Sequence, residues 1–337
     1  MQLATVWFLL IGFLFVGYAI LDGFDLGVGA VHLIVARDDT ERRQVLNAIG
    51  PVWDGNEVWL ITGGGALFAA FPTVYGTVFS GFYLAMMLLL GALILRATSI
   101  EFRSKETAAW WRRSWDAGFS VSSTLAVILF GVALGNLLRG LPIDADGAYR
   151  GGLIGLLNPF SIAVGVLSLS LAVLQGSAWL SIKTEGAVQT RARKTGAAAV
   201  VLLVAAWIAV TALAWVDARR VFDNFGSLLA WVGPFLTANI LIYMVMAMRS
   251  HRDGRVFLFS SLSVIGFAIT AGVALYPNLV PAVDTVRSLT IDNAHSSDTT
   301  LVVMLVIALI GMPIVLAYTG FVYWKFKGKV RLDEASY

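Results

Sequence analysis

The run PVWDGNEVWLITGGGALFAAF at 51–71 decides how many times this chain crosses a membrane. It is long enough to span, because a transmembrane helix needs roughly 20 mainly apolar residues. It also carries Asp54, Glu57 and the triplet Gly63-Gly64-Gly65, which would equally suit a polar loop. Read as a helix, it joins eight other apolar runs, and the reading is nine spans at about 5–35, 51–71, 74–96, 115–138, 155–180, 196–216, 226–248, 256–277 and 299–324.

Positive charge tests that reading. With nine spans, the segments following the odd-numbered helices share one side and hold 19 of the 24 Lys and Arg residues, counting Arg96 at the end of its helix. The opposite side holds 5. Basic residues stay cytoplasmic, so the amino terminus is placed outside and Tyr337 inside. Removing the second helix scrambles the alternation, so the charge count supports it. Aromatic residues agree, since amphipathic rings gather at membrane interfaces. Trp110, Trp111 and Trp115 cluster at one inner boundary, Tyr323-Trp324 sit at another, and Trp215 and Trp231 flank an outer turn.

Composition excludes the other broad classes. Of 337 residues, 58% are hydrophobic and 13% charged, with a mean hydropathy of +0.80. Soluble domains carry about twice that share of charge. A formal charge of +3 is too small to imply nucleic acid. With no cysteine, the chain has no disulfide, iron–sulfur ligand, thiolate haem ligand or thiol nucleophile. The longest connection, about 278–298, leaves no room for a soluble domain, so 1–337 is expected to be one transmembrane domain. The first run lacks a basic n-region and is too long for a cleavable leader, so it is expected to remain as helix 1. The tail residues Lys325, Lys327, Lys329 and Arg331 suggest an inner-surface anchor. A faint echo of residues 61–68 at 269–276 leaves a parallel duplication conceivable, although small and apolar residues dominate both stretches.

Ionisable groups inside a bilayer are costly and mark pathways by default. Asp22, Asp25, Asp54, Glu57 and Asp116 qualify, with Arg96 on the same inner side. Asp22 and Asp25 share a helix face, as do Asp54 and Glu57. His32 follows Asp25 by seven residues, about 10 Å closer to the cytoplasm. One reading is a group of carboxylates that takes up and passes on protons. The other is a static ion pair, for instance Arg96 with Asp54 or Asp116, locking helices together. Asp22 suits a helix–helix hydrogen bond, and His32 an interfacial position. Gly23, Gly27 and Gly29 fit close helix packing and form no phosphate loop. His32, His251 and His295 are the only histidines. None is expected mid-membrane, and Met86, Met87 and Met244 suit packing better than iron ligation. A redox centre, if present, would belong to a partner.

Several stretches together resemble subunit II of cytochrome bd-type quinol oxidases. They are DGFDLGVG at 22–29, GPVWDGNEVWLITGGGALFAAFPTVY at 50–75, SGFYLAMM at 80–87, EFRSK at 101–105, LLNPFSIAVGVLS at 156–168, QGSAWL at 175–180, KTEG at 183–186 and SLTIDNAHSSDTTLVVM at 288–304. They run in order through the whole chain, and the WDGN stretch is highly specific.

The resemblance implies an all-α polytopic protein of nine helices, arranged as two four-helix bundles and a peripheral helix. It would pair as a heterodimer with a subunit I that ligates haem b and haem d and binds quinol outside. The complex would reduce oxygen to water with protons drawn from the cytoplasm, in a bacterial cytoplasmic membrane. This subunit would ligate no haem and supply no catalytic residue. It would contribute a proton path and stability, hold a structural quinone, and leave room for small accessory subunits. The family's intramembrane acids fall on Asp25, Asp54 and Asp116, and its helix 3 arginine on Arg96. Asp22 and Glu57 extend that path, and Trp53, Asn56 and Trp59 support it. Some family versions carry Gln where this chain has Glu57, which argues against an essential role there; His32 and His295 match no family pattern. A proton-coupled secondary transporter, which also buries acids on glycine-broken helices, and a purely structural subunit are the rival readings.

Overall fold

The computed structural model describes residues 2–144 and 148–332. The cytoplasmic placement expected for Tyr337 therefore lies outside the described residues. The chain begins with α1 (Leu3–Val35), α2 (Asp39–Ile49), α3 (Trp53–Ala70), α4 (Pro72–Gly81), α5 (Tyr83–Phe102) and α6 (Ala109–Arg139). It continues through α7 (Gly152–Leu156), α8 (Pro159–Lys183), α9 (Gly186–Asp217), α10 (Val232–Arg249) and α11 (Asp253–Leu275). A two-stranded antiparallel ribbon of β1 (Asn278–Val280) and β2 (Leu289–Thr290) precedes α12 (Asp298–Lys325). Among the described residues, eight helices are long and apolar enough to cross a membrane, and counting the broken pair α3–α4 as one span brings the number to nine.

That break falls at the expected boundary between 51–71 and 74–96, but the expected helix at 74–96 is itself divided at Phe82, between α4 and α5. The axes of α3 and α4 diverge by 120°. Proline at position 72 has no amide hydrogen and drives its predecessor out of the helical region, and Phe71 accordingly sits at φ −135°, ψ 66°. Pro159 sets the start of α8 in the same way, later than the expected 155, with the Asn158 side chain accepting from the Ser161 amide at 2.9 Å. In the other direction, α6 and α9 begin several residues before the expected 115 and 196, carrying Arg112, Arg191 and Arg193 into the polar boundary. The amphipathic helix α2 was not foreseen. Asp38 caps it by accepting from the Glu41 amide at 2.9 Å, and Val45, Leu46, Ala48 and Ile49 are buried beneath it.

Contacts at the two ends of the helices agree with nine crossings. At the end richer in basic residues, Arg191 bonds the Val35 carbonyl at 2.7 Å and pairs with Glu41. There too Arg193 pairs with Asp253 at 2.6 Å, and the Val330 amide reaches the Lys183 carbonyl at 2.8 Å. Partial burial works against ionisation of Glu41, but the Arg191 guanidinium and the Arg37 amide outweigh it and hold the carboxyl below its ordinary range. At the opposite end Trp7 donates to the Leu301 carbonyl at 3.0 Å, the Ser296 amide to Ala70 at 2.8 Å, and Arg139 pairs with Asp217 at 2.9 Å.

Helices α1, α3, α5 and α6 form one bundle and α8–α11 the second, with α12 peripheral. The bundles join where α8 packs against both α6 and α1, most closely at the crossing with α1. A methyl group on Gly27 would fall 1.8 Å from the Ala172 carbonyl oxygen, and one on Gly176 only 2.3 Å from the Gly27 backbone. Small residues of this kind let membrane helices approach backbone to backbone. Gly27→Ala is therefore expected to force the bundles apart at a cost of about 1–3 kcal/mol or more, read as a lower melting temperature and a lower yield of assembled protein. Gly272→Ala, where nothing lies within 4 Å, is expected to change neither; equal behaviour of the two variants would contradict this packing.

Candidate functional site

Helices α1, α3 and α5 converge on Arg96, a fully buried guanidinium. Its Nη2 donates to Asp22 Oδ1 at 2.6 Å, and its Nη1 donates to Asp22 Oδ2 at 3.0 Å and to Glu57 Oε1 at 2.8 Å. The forked pairing with Asp22 is the geometry that arginine's planar group suits best. Arg96 thus meets neither Asp54 nor Asp116, the two partners considered from sequence. Spacing along a helix fixes which residues share its face, but not which neighbouring helix that face meets.

Asp25, one turn along α1 from Asp22, is also fully buried. Its Oδ2 accepts from Asn56 Nδ2 at 2.7 Å, and Asn56 in turn accepts from the Tyr323 hydroxyl of α12 at 3.0 Å. Asp25 Oδ1 has no protein hydrogen-bond partner. It lies within the electrostatic reach of Asp22, Arg96 and Glu57. Glu57 is half-buried, and Asp54 is exposed on the first turn of α3, close enough to Glu57 to interact. The arrangement is a ladder of carboxylates: Asp54 at the surface, Glu57 one turn along, then Asp22 and Asp25 inside. One guanidinium pairs with two of these inner acids, Asp22 and Glu57.

Two tryptophans of the same helix hold the ladder in place. Trp59 is buried against α1, where a methyl group on Gly17 would come within 2.3 Å of the indole. Trp53 is buried in the inner core cluster with Val52 and Ile49, and that contact seats the start of α3.

Asp116 belongs to a different cluster. It is buried at the start of α6, and its Oδ1 lies 2.8 Å from His32 Nε2 and accepts from Arg103 Nε at 2.6 Å. Its Oδ2 accepts from Arg42 Nη1 at 2.7 Å. Arg103 also pairs with Asp39 at 2.8 Å, and Arg112 does the same from the other side. Here three guanidiniums face two carboxylates. His32, expected at the interface, is instead fully buried against Phe119. Sequence reasoning overlooked Arg42, Arg103, Asp39 and Arg112. The signal available was the Asp38 cap and the amphipathic α2 that carries Arg42 to Asp116.

The two clusters predict opposite responses to loss of one charge. Asp116→Asn strips the only shared carboxylate from Arg42 and Arg103, and breaking a buried pair costs about 3–5 kcal/mol. A sharp loss of assembled protein is expected, measured as yield and melting temperature. Glu57→Gln keeps an oxygen for Arg96 and leaves the Asp22 fork intact, so near-normal assembly is expected. The reverse order of damage would contradict this assignment.

Among the described residues, no group of three or more His, Cys, Asp or Glu side chains is arranged to hold a metal ion. The three histidines lie in separate places. The Nε2 of His32 is taken by Asp116, His251 lies in the turn between α10 and α11, and His295 bonds the Ser296 carbonyl beside the outer end of α12.

Comparison with known proteins places this geometry in a family. A profile described as "Cytochrome bd terminal oxidase subunit II" matches residues 3–326. The chain is 37% identical over 364 residues to cytochrome bd-I ubiquinol oxidase subunit 2 of Escherichia coli K12, covering 98% of this chain and 96% of that one. It is 35% identical over 341 residues to cytochrome bd ubiquinol oxidase subunit 2 of Bacillus subtilis 168, covering 99% and 98%. Its fold is similar to a chain of the bd oxidase from Geobacillus thermodenitrificans, with a TM-score of 0.80, 16% identity, and 97% and 99% of the two chains covered. The WDGN helix with its buried arginine and acids thus sits in a match that runs almost end to end, and the chain belongs to the subunit II family of cytochrome bd terminal oxidases.

Proposed function

We propose that this subunit gives the oxidase a proton path from the cytoplasm through Asp54, Glu57 and the acids gathered around Arg96. As a family member, the chain is a multi-pass subunit of the bacterial inner membrane, within a respiratory terminal oxidase that oxidises quinol and reduces oxygen to water. That complex contains haem and a subunit I partner. The near-complete family match leaves the transporter reading without support.

The observation that carries the proposal is the imbalance of charge around Arg96. One guanidinium pairs with Asp22 and Glu57, and Asp25, buried one turn away, is bonded by Asn56 and by no cation. In a low-dielectric interior such an excess of acid is relieved when a carboxylate takes up a proton. Asp22 is committed to the fork with Arg96. Asp25 has one oxygen without a protein partner, so it is the inner acid best placed to exchange a proton. Asp54 supports the outer end of the path. A carboxylate facing acyl chains would be too costly to keep, so Asp54 faces water or the partner subunit. Val58, Ile61 and Phe68 on α3, together with Leu84, Leu88 and Ile94 on α5, leave an apolar surface exposed beside it. We assign that surface to the haem-bearing subunit I.

Haem ligation is assigned to the partner because the described histidines here are engaged or peripheral. A structural quinone would need an apolar recess with aromatic walls. The one lined by Trp215, Phe222, Phe225 and Trp231, near the outer ends of α9 and α10, has that character.

In the purified complex, Asp54→Asn is expected to lower the rate of oxygen consumption roughly tenfold or more, within the range for loss of a proton-transfer group, with haem content preserved. Unchanged turnover would contradict the proton role. Loss of haem together with turnover would instead favour the purely structural reading.

A further inference from the structure

We propose that the basic recess where α8 and α12 end is a binding site for the phosphate of an anionic phospholipid. Beyond Lys325 the chain turns back, helped by Gly328 at φ +101°, and the Val330 amide bonds the Lys183 carbonyl at 2.8 Å. This strap lies across the end of α8 and helps enclose a cavity of about 330 Å³. That volume falls at the lower end of ordinary ligand sites. Five cations line it, Lys183, Lys325, Lys327, Lys329 and Arg331, and among the described residues no Asp or Glu does.

Lys183 is the most telling of the five. It is buried, stacks 5.0 Å from the centre of the Trp179 ring, and donates to the Phe326 carbonyl at 2.5 Å. Lys329 donates to the Thr184 carbonyl at 2.8 Å and to Ser181 at 3.3 Å. These carbonyls are helix ends, which favour positive charge, so capping alone explains two of the lysines. It does not explain Lys325, Lys327 and Arg331, nor the cavity between them. A carbonyl occupies a donor but brings no full negative charge, and an ammonium has three donors. Lys183 is buried while the other four cations stand exposed around the recess; a buried cation without a counter-charge is costly, and an anion seated in the recess meets that deficit and bridges the exposed ones.

Its location favours a lipid over a soluble phosphate. The recess opens at the inner membrane boundary beside α12, whose Phe321 and Trp324 are exposed, giving acyl chains an apolar path next to the charge. Basic pockets between transmembrane helices on this side of a membrane suit anionic headgroups. The inference does not rest on the proton path, because none of the five cations touches the acids around Arg96.

The test uses the whole purified complex in phosphatidylcholine nanodiscs doped with a photoactivatable phosphatidylglycerol, with labelled peptides mapped by mass spectrometry. Labelling is expected within 179–184 and 321–331, and an equivalent phosphatidylcholine probe should label these peptides far less. The triple variant Lys325→Gln, Lys327→Gln, Arg331→Gln leaves the carbonyl contacts of Lys183 and Lys329 in place, so the complex should still assemble. Its labelling there should fall roughly tenfold or more. Equal labelling by the two probes, or by wild type and the triple variant, would overturn the proposal. Suppression by millimolar inorganic phosphate would assign the recess to a soluble phosphate and overturn the lipid source.

Discussion

A single guanidinium, Arg96, is the fixed point of the first bundle. It is fully buried, and it survives there only because Asp22 grips it with both oxygens while Glu57 shares its Nη1. A lone charge in that setting would be prohibitive. The three helices α1, α3 and α5 are therefore bound to converge at this level. Asn56 extends the tie to α12 through Tyr323, and the Gly27–Gly176 crossing brings α8 against the same stretch of α1.

The two inner clusters differ in the sign of their excess, and that difference underlies the division of labour proposed for them. Around Asp116, cations outnumber acids and every carboxylate oxygen is engaged, which suits a fastening between α1, α2, α5 and α6. Around Arg96, acids outnumber the cation, and one oxygen of Asp25 lacks a protein partner. An excess of acid is what a proton-conducting site requires, because a fully compensated ion pair has no reason to change its protonation. The same electrostatic reasoning applies with opposite sign beneath the tail, where among the described residues five cations gather without acids.

Much of this fold is legible in the sequence because a bilayer demands long apolar runs, and these stand out whatever they pack against. Counting basic residues was enough to rescue the second crossing in spite of Asp54 and Glu57. The boundary at Phe71 is legible in Pro72, whereas the break at Phe82, inside the expected 74–96 span, leaves no mark in hydropathy because hydropathy does not register backbone geometry. Helix α2 is short and half polar, so a search for spans passes over it. Individual acids were found at once, since each is conspicuous in an apolar run. Their partners were not. Arg96 looked able to reach Asp54 or Asp116, and only helix packing shows that Asp22 is its partner. His32 gave no hint of burial because its partner lies 84 residues away.

The central claim is that a carboxyl group beside Arg96 changes protonation as the oxidase turns over. Redox-induced infrared difference spectroscopy of the complex tests it directly through the carbonyl stretch of protonated carboxyl groups. The account predicts a carboxyl band that shifts in heavy water and disappears in Asp25→Asn with the haem signals intact. A spectrum of that variant carrying the same carboxyl bands as the wild type would contradict it.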